Sequence, residues 1–395
     1  MGQVAFTEDG PRVLSVYEGF FAGGARVLHT GVVRALHSTT GQHHRVLSLT
    51  DRSVRENTVQ LAQGDASHRS LVRAGVPVTA LRRGSGEAWR PGQRRALQRA
   101  VSAADVVLTL KEQPLLALAD ARLGGRPVLT CLHRSDPEHQ GRALETLVSL
   151  VERGTVRAAI CCAHSTQAAY HAATGIPLDQ LPVVPNGTDL RRFRPCATTR
   201  AEARGELGVV GEVPVVLFSA RFDPMKDVAL FVRAAARFRE LRPDAHLVLC
   251  GAGMSAGNAE LVALLAGAGL ASERVHLLGI RTDVPRLCNA ADLVVITSAY
   301  GEAAPLALLE GMACGAVPVT TDVGDAALMV GEPRLVAPRE ATAMADTWVA
   351  AYEQREEHAE RILRRRQRLS DQRTYDAYAA LIREHAAGSR LDLVG

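Results

Sequence analysis

Tyr300-Gly301-Glu302-Ala303-Ala304-Pro305-Leu306-Ala307-Leu308-Leu309-Glu310 sets two carboxylates seven residues apart across a helix start. Pro305 suits the first helical turn, where its missing N–H has no intrahelical partner to lose. The helix then begins beside Glu302. The free amides of Ala303, Ala304, Leu306 and Ala307, at the positive end of the helix dipole, suit a pyrophosphate. Glu310 follows Pro305 by five residues, which at about 1.5 Å per residue is roughly 7–8 Å along the axis. That is about the span from a pyrophosphate to its ribose.

Outward from this segment, short β-branched runs alternate with helical stretches, the pattern of parallel sheets built from βαβ units. One series covers residues 12–17, 45–49, 105–110, 127–132 and 158–162, and a second covers 215–220, 246–251, 275–279, 292–297 and 317–320. Residues 189–214, rich in Arg, Pro and Thr, read as the linker between two α/β domains. From about Glu340 the chain is helical again. Its charges at i,i+4 spacing suit an exposed helix. No repeat of solenoid period is present.

Six ordered segments resemble one family. They are Gly23-Gly24-Ala25-Arg26; Val184-Pro185-Asn186-Gly187-Thr188-Asp189 with Phe193-Arg194-Pro195; Ser219 to Asp227; Leu249-Cys250-Gly251-Ala252-Gly253; Ala291 to Ser298; and the pair Glu302 and Glu310. The chain resembles the retaining glycosyltransferases of group 1, family GT4, whose signature is Glu-x7-Glu. The resemblance implies the GT-B fold, in which two Rossmann-like, doubly wound domains face a cleft. It further implies a first, acceptor-binding domain over residues 1–205 and a donor-binding domain over 206–370. A final helix, residues 371–385 within a returning segment 371–390, should cross back to the first domain, with the few residues after it fraying.

Composition agrees with a globular chain of two cores: 395 residues, 47% hydrophobic and 22% charged. Abundant Ala, Arg, Val and Leu with few lysines resembles a GC-rich bacterial genome. Seven cysteines form an odd set with no CxxC pair and read as reduced core thiols. A disulfide framework does not suit a chain of this size, and the adjacent Cys161 and Cys162 point to opposite faces of a strand, which disfavours a metal site. The opening Met1-Gly2-Gln3-Val4-Ala5-Phe6-Thr7 has no secretion signal and no myristoylation pattern, and no run is long and apolar enough to span a membrane. A cytoplasmic location is the expectation. Net charge is +4, yet residues 1–200 carry 25 Lys+Arg against 16 Asp+Glu, and residues 201–395 carry 21 against 26. Arg82, Arg83, Arg90, Arg94, Arg95 and Arg99 surround a helix expected over residues 91–103. This patch suits a peripheral contact with anionic lipid at the inner membrane face, or an anionic acceptor. A solvated helix face is the simpler account, because the helix lacks a Trp/Phe/Leu-rich side.

Site residues can be argued singly. Arg221 and Lys226 follow a strand and so stand at the carboxyl end of a parallel sheet, where ligands bind. Together they can offset a diphosphate as the glycosidic bond breaks, with no metal; the alternative is a surface pair with Asp223 or Asp227. Glu310 should accept from the ribose hydroxyls. Glu302, by the resemblance, contacts the donor sugar at the reaction centre without having to be a nucleophile. Ala303 replaces the family's frequent Gly and Ala304 its frequent aromatic, which leaves the amide cradle and alters the contacts to the sugar. Gly251 and Gly253 would bring a strand-end loop near the base, although a GxG turn often serves backbone geometry alone. Ser298 lies just before the signature. Gly23 and Gly24 match the family's first glycine-rich loop, without the GxGxxG of a dinucleotide fold.

His133 directly follows an apolar strand and should emerge at the cleft beside the sugar, with an ordinary imidazole near pKa 6.5. Arg134, Asp136 and His139 are acceptor candidates. The expected activity is retaining transfer from a nucleoside-diphosphate sugar, UDP-sugar by default, to a hydroxyl of a glycolipid, a cell-envelope intermediate or a small natural product such as an aminocyclitol. A sugar-phosphate synthase, with Arg26 or Arg134 holding the phosphate, and a non-catalytic sugar-nucleotide-binding partner are the alternatives. A nicotinamide oxidoreductase would share the sheets, but the missing GxGxxG opposes it.

Overall fold

The computed structural model describes residues 10–391 apart from Ala22, residues 56–57 and Ser272. Residues 1–7 and 392–395 lie outside the described residues, while the final helix continues past the expected fraying point to Leu391. The first half runs β1 (Arg12–Tyr17), α1 (Gly24–Thr39), β2 (His43–Ser48), β3 (Arg52–Arg55), β4 (Thr58–Leu61), α2 (Ala66–Arg73), β5 (Val78–Ala80), α3 (Pro91–Ser102), β6 (Val106–Leu110), α4 (Leu115–Leu118), β7 (Val128–Leu132), α5 (Arg142–Glu152), β8 (Val156–Cys161) and α6 (His164–Thr174). The second runs α7 (Ala197–Glu206), β9 (Val215–Ser219), α8 (Val228–Leu241), β10 (His246–Cys250), α9 (Ala259–Gly267), β11 (Val275–Leu277), α10 (Val284–Ala290), β12 (Leu293–Ile296), α11 (Leu306–Ala313), β13 (Val317–Thr321), α12 (Ala326–Val330), β14 (Val336–Ala337), α13 (Ala341–Glu353), α14 (Arg355–Arg364) and α15 (Gln372–Leu391).

Two six-stranded parallel sheets result, ordered β5-β2-β1-β6-β7-β8 and β11-β10-β9-β12-β13-β14. Each has the doubly wound order, reversing direction between β1 and β6 or between β9 and β12, and such switch points are where these sheets bind ligands. Continuous apolar runs such as Val106–Leu110 and Val128–Leu132 are buried along their whole length, as strands covered by helices on both faces must be. In the second sheet Phe218, Phe231, Phe238 and Trp348 pack α8 and α13 against one face, while Leu287, Leu308 and Met312 pack α10 and α11 against the other.

The stretch expected to be linker contains α7, which packs on α10. Arg204 donates to Asp292 Oδ2 (3.2 Å) and Arg200 to Asp292 Oδ1 (2.5 Å), while Asp292 Oδ2 also accepts from Val215 N (2.8 Å). The buried carboxylate thereby ties α7 to the start of β9. At the other end α15 returns to the first sheet, where Tyr378, Ala379 and Ile382 share a core with Val13, Val32 and Val106. Thr374 Oγ1 donates to Pro185 O (2.8 Å) at the root of this crossing.

Among the described residues no helix is long and apolar enough to cross a membrane. The arginine-rich helix α3 spends part of its charge locally: Arg94 pairs with Asp120 (3.2 Å), and Arg83 and Arg94 both lie over the Trp89 ring. All seven cysteines are free thiols, six of them buried.

Candidate active site

The carboxyl ends of both sheets face one cavity of about 840 Å³. From the first domain, β6 delivers Lys111 and β7 delivers His133 and Arg134, while Gly23, Gly24 and Arg26 enter at the start of α1. The second domain contributes Arg221 and Lys226 after β9, Gly251 after β10, and the segment from Gly301 to Ala307 with Glu310. Most of the residues singled out on either side of the cleft therefore line one cavity although they lie far apart in sequence.

Two cations and the two signature carboxylates form the centre. Lys226 Nζ is ion-paired with Glu302 Oε1, and Ser298 Oγ donates to the same oxygen (2.6 Å). Glu302 is only 6% exposed, so this pair is held in a low-dielectric wall where it is strong and where losing one member is costly. Lys226 thus answers Glu302 rather than Asp223 or Asp227; Asp227 instead caps α8 through Leu230 N (3.0 Å) and meets Arg339 (2.9 Å). Arg221 does pair with Asp223 (3.0 Å) while still lining the cavity.

Pro305 is the cap residue of α11, with Leu306 its first helical residue, so the helix starts one residue later than the proline rule placed it. Leu306 and Ala307, whose first-turn amides have no acceptor within the helix, line the cavity with Ala303 and Ala304. Glu310 lies within α11, partly open to the cavity, with no hydrogen-bond partner among the described residues. Desolvation pushes its carboxyl up to about 7, opposed by the charge of Arg192.

Gly251 has φ 134°, and a Cβ there would lie 1.9 Å from Ala220 O. The loop after β10 can press against the Arg221 loop only with glycine at this position. Gly253, with φ 78°, and Ser298 are set back from the cavity wall. Ser298 acts on Glu302, and Asn258 Nδ2 donates to Gly253 O (2.9 Å).

His133 lines the cavity with its Nε2 buried and unpartnered. Burial, helped by Lys111, lowers its pKa to about 3, so the imidazole is neutral at physiological pH instead of partly protonated. Of the three acceptor candidates, Arg134 reaches the cavity. Asp136 is buried, is paired with Arg134, and lies 3.2 Å from His139 Nδ1. The His139 ring stacks on Tyr300 across the domain boundary, with centroids 5.4 Å apart. Asp136 and His139 thus brace the domains behind the wall.

Several wall residues carried no sequence assignment. Lys111 has φ 70° at the switch point of the first sheet, a strained conformation of the kind that collects at functional sites. Asn186 Nδ2 donates to Ala304 O (2.9 Å) from the other domain. The sequence signals were present: Lys111 directly follows a strand, and Asn186 sits in the quoted mid-chain motif.

Two doubly wound sheets facing one basic cleft are the GT-B fold. Residues 199–368 match the family described as Glycosyl transferases group 1, and residues 22–192 match Glycosyltransferase Family 4; the chain belongs to this glycosyltransferase family. It is 38% identical over 157 residues to a D-inositol 3-phosphate glycosyltransferase of Nocardia farcinica, covering 38% of this chain and 34% of that protein. A Salinispora tropica protein of the same name is 37% identical over 155 residues, 36% of this chain and 32% of that one. The aligned stretch therefore spans about a third of these relatives' length. Among solved structures, Anabaena HepE in complex with UDP and glucose superposes with TM-score 0.79 at 21% identity, covering 94% of this chain and 99% of that one. A sucrose-phosphate synthase of Thermosynechococcus elongatus superposes with TM-score 0.71 at 20% identity, covering 95% and 100%.

Proposed function

We propose that the protein transfers a sugar from a nucleoside-diphosphate donor, UDP-sugar by preference, to an acceptor hydroxyl, retaining the anomeric configuration and using no metal. The observation that carries this reading is the convergence of Arg221, Lys226, the α11 amides and Glu310 on one cavity wall. Glu310 would accept from the ribose hydroxyls, and the amides and two cations would hold the pyrophosphate. As the bond from the anomeric carbon to the phosphate oxygen breaks, its electron pair passes to that oxygen, and Arg221 and Lys226 offset the charge that develops. The acceptor hydroxyl attacks from the same face and gives its proton to the departing phosphate. Glu302 would hold sugar hydroxyls. His133, neutral and lining the cavity, suits a hydrogen bond to the sugar better than proton abstraction. The choice of UDP is supported by the HepE structures, solved with UDP and with UDP-glucose.

A second reading gives the acceptor a phosphate group. On the first-domain wall Arg26, Arg69, Lys111 and Arg134 line the cavity, and Asp65 is the single carboxylate among the described lining residues of that domain. Relatives named for inositol 3-phosphate and the sucrose-phosphate synthase likeness agree with an anionic acceptor.

Calorimetry against UDP, GDP, ADP and dTDP in chelator comes first, followed by transfer assays offering polyols and their monophosphates, with the anomeric proton read by NMR. UDP should bind selectively. Arg221→Ala and Lys226→Ala should each weaken it about ten- to hundredfold, the scale of a charged hydrogen bond, whereas Glu302→Gln should mainly lower turnover. Binding of no diphosphate, or kinetics untouched by all three substitutions, would remove the site assignment. Transfer solely to phosphorylated polyols would select the second reading.

A further inference from the structure

Helix α6 begins at the carboxyl end of β8 with Ala163 as its cap residue, a side chain that cannot accept a hydrogen bond. Its first two amides are satisfied from the other domain. His164 N donates to Asp325 Oδ2 and Ser165 N to Asp325 Oδ1, each at 2.8 Å. A carboxylate spanning two free amides at the positive end of an 11-residue helix caps it, and here cap and helix belong to different domains.

Asp325 is also tied to the reaction centre through its main chain. Its own N–H donates to Ala303 O (2.8 Å). Gly324, with φ 64°, packs so closely that a Cβ would lie 2.3 Å from Glu302 O. The small cluster Cys162, Ala163, Ala303 and Ala304 fills the seam between them. A continuous set of contacts therefore runs from the α6 amides through Asp325 and Ala303 to Glu302, whose carboxylate meets Lys226 and Ser298.

We propose that Asp325 is a positioning residue that caps α6 across the domain boundary and thereby sets Glu302 in register with the first-domain wall that carries His133. The role depends on the proposed transferase activity, in which Glu302 and His133 approach one sugar from opposite sides. Nucleotide binding by contrast draws on Arg221, Lys226 and α11, all of the second domain. The hydrogen bond from the Asp325 amide to Ala303 is main chain and survives substitution of the side chain. Turnover should accordingly depend on the Asp325 carboxylate while affinity for UDP does not.

The test uses the full chain with Asp325→Ala and Asp325→Asn, measuring kcat, UDP affinity, thermal midpoint and amide exchange with UDP bound. The asparagine keeps the volume and one acceptor oxygen, so it preserves the fold if the alanine does not. Loss of a cap is worth a two- to roughly thirtyfold effect. Asp325→Ala should lower kcat by about tenfold or more within that range, expose the His164 and Ser165 amides to faster exchange, and leave UDP affinity within about threefold. Asp325→Asn should fall between it and wild type. Unchanged kcat overturns the assignment. So does a loss of UDP affinity and thermal midpoint that matches the loss of kcat, which would mark a purely structural residue. Should the wild-type protein turn over no donor, the transferase reading fails separately, and exchange alone then decides the cap: lost protection supports it and unchanged protection overturns it.

Discussion

Glu310 shows how one side chain can report nucleotide binding. Desolvation in the ligand-free cleft pushes its carboxyl up to about 7, whereas ribose hydroxyls donate best to an ionised carboxylate. Binding should therefore pull this pKa down and release a proton. Above about pH 7 the carboxylate is already ionised and affinity for UDP should be flat. Below it, each pH unit should weaken binding up to about tenfold until the carboxyl of the complex also titrates. Calorimetry in two buffers of different ionisation enthalpy measures the proton count directly. Glu310→Gln should remove the part of the pH dependence beyond that of the terminal phosphate of UDP, which itself titrates near about pH 6, and a wild-type profile no steeper than the variant's would remove Glu310 from the ribose. The Glu302 and Glu310 spacing was legible in sequence because both belong to one helix start. The partner of Glu302 was not, since Lys226 stands 76 positions away and is brought in by the packing of β9 beside β12. His133 was legible as a strand-end residue, but its neutral state depends on walls contributed by both halves of the chain. Asp136 and His139 read as site residues through their nearness to His133, until the short 3-10 turn Pro137–Gln140 carries His139 against Tyr300.

At the scale of elements, the ten strands read from β-branched runs are present, with ends differing by one or two positions as strand ends do. The edge strands β5 and β14, three and two residues long, and the hairpin β3–β4 escaped notice. Too few residues alternate or run apolar there to leave a pattern, and sheet neighbours supply what local preference does not. Helix α7 was hidden for a related reason: its polar, Arg-rich sequence reads as linker because its anchor is electrostatic. Arg204 and Asp292 are 8% and 7% exposed, so removing one leaves the other charge buried and unpaired. Asp292→Ala should destabilise the protein by about 3–5 kcal/mol, as read from urea unfolding midpoints. Arg200→Ala, whose side chain is 34% exposed, should cost far less, about 1 kcal/mol or below. Equal effects would place the anchor elsewhere than in the buried pair.

Across the whole molecule, buried titratable groups should shape stability against pH through two opposed sets. His29, His44 and His133 are held near 3, and His246 near 4, chiefly by desolvation. Unfolding frees them to titrate at about 6.5, so as pH falls through 6.5 the unfolded chain gains protons that the folded chain refuses, and stability drops. Glu112, buried against Tyr170, and Glu310 are raised to about 7 by desolvation. They act in reverse: between about 4.5 and 7 the folded chain keeps protons that the unfolded chain sheds, so their stabilisation is lost as pH rises. Four histidines outweigh two carboxyls in the acid range, leaving a net uptake of about one to two protons on unfolding near pH 5.5, a slope of roughly 1.4–3 kcal/mol per pH unit. Near pH 7 these two sets cancel, and above it the decline from the carboxyls is joined by buried thiols such as Cys131, Cys162 and Cys250, which desolvation raises and which keep protons that the unfolded chain sheds. Urea midpoints from pH 5 to 8.5 trace the whole curve. Glu112→Gln should steepen the acid limb and flatten the alkaline one, while saturating UDP, by holding Glu310 ionised, should do the same through the other carboxyl. A slope around pH 7 insensitive to both would mean that these two carboxyls do not keep their protons in the folded chain.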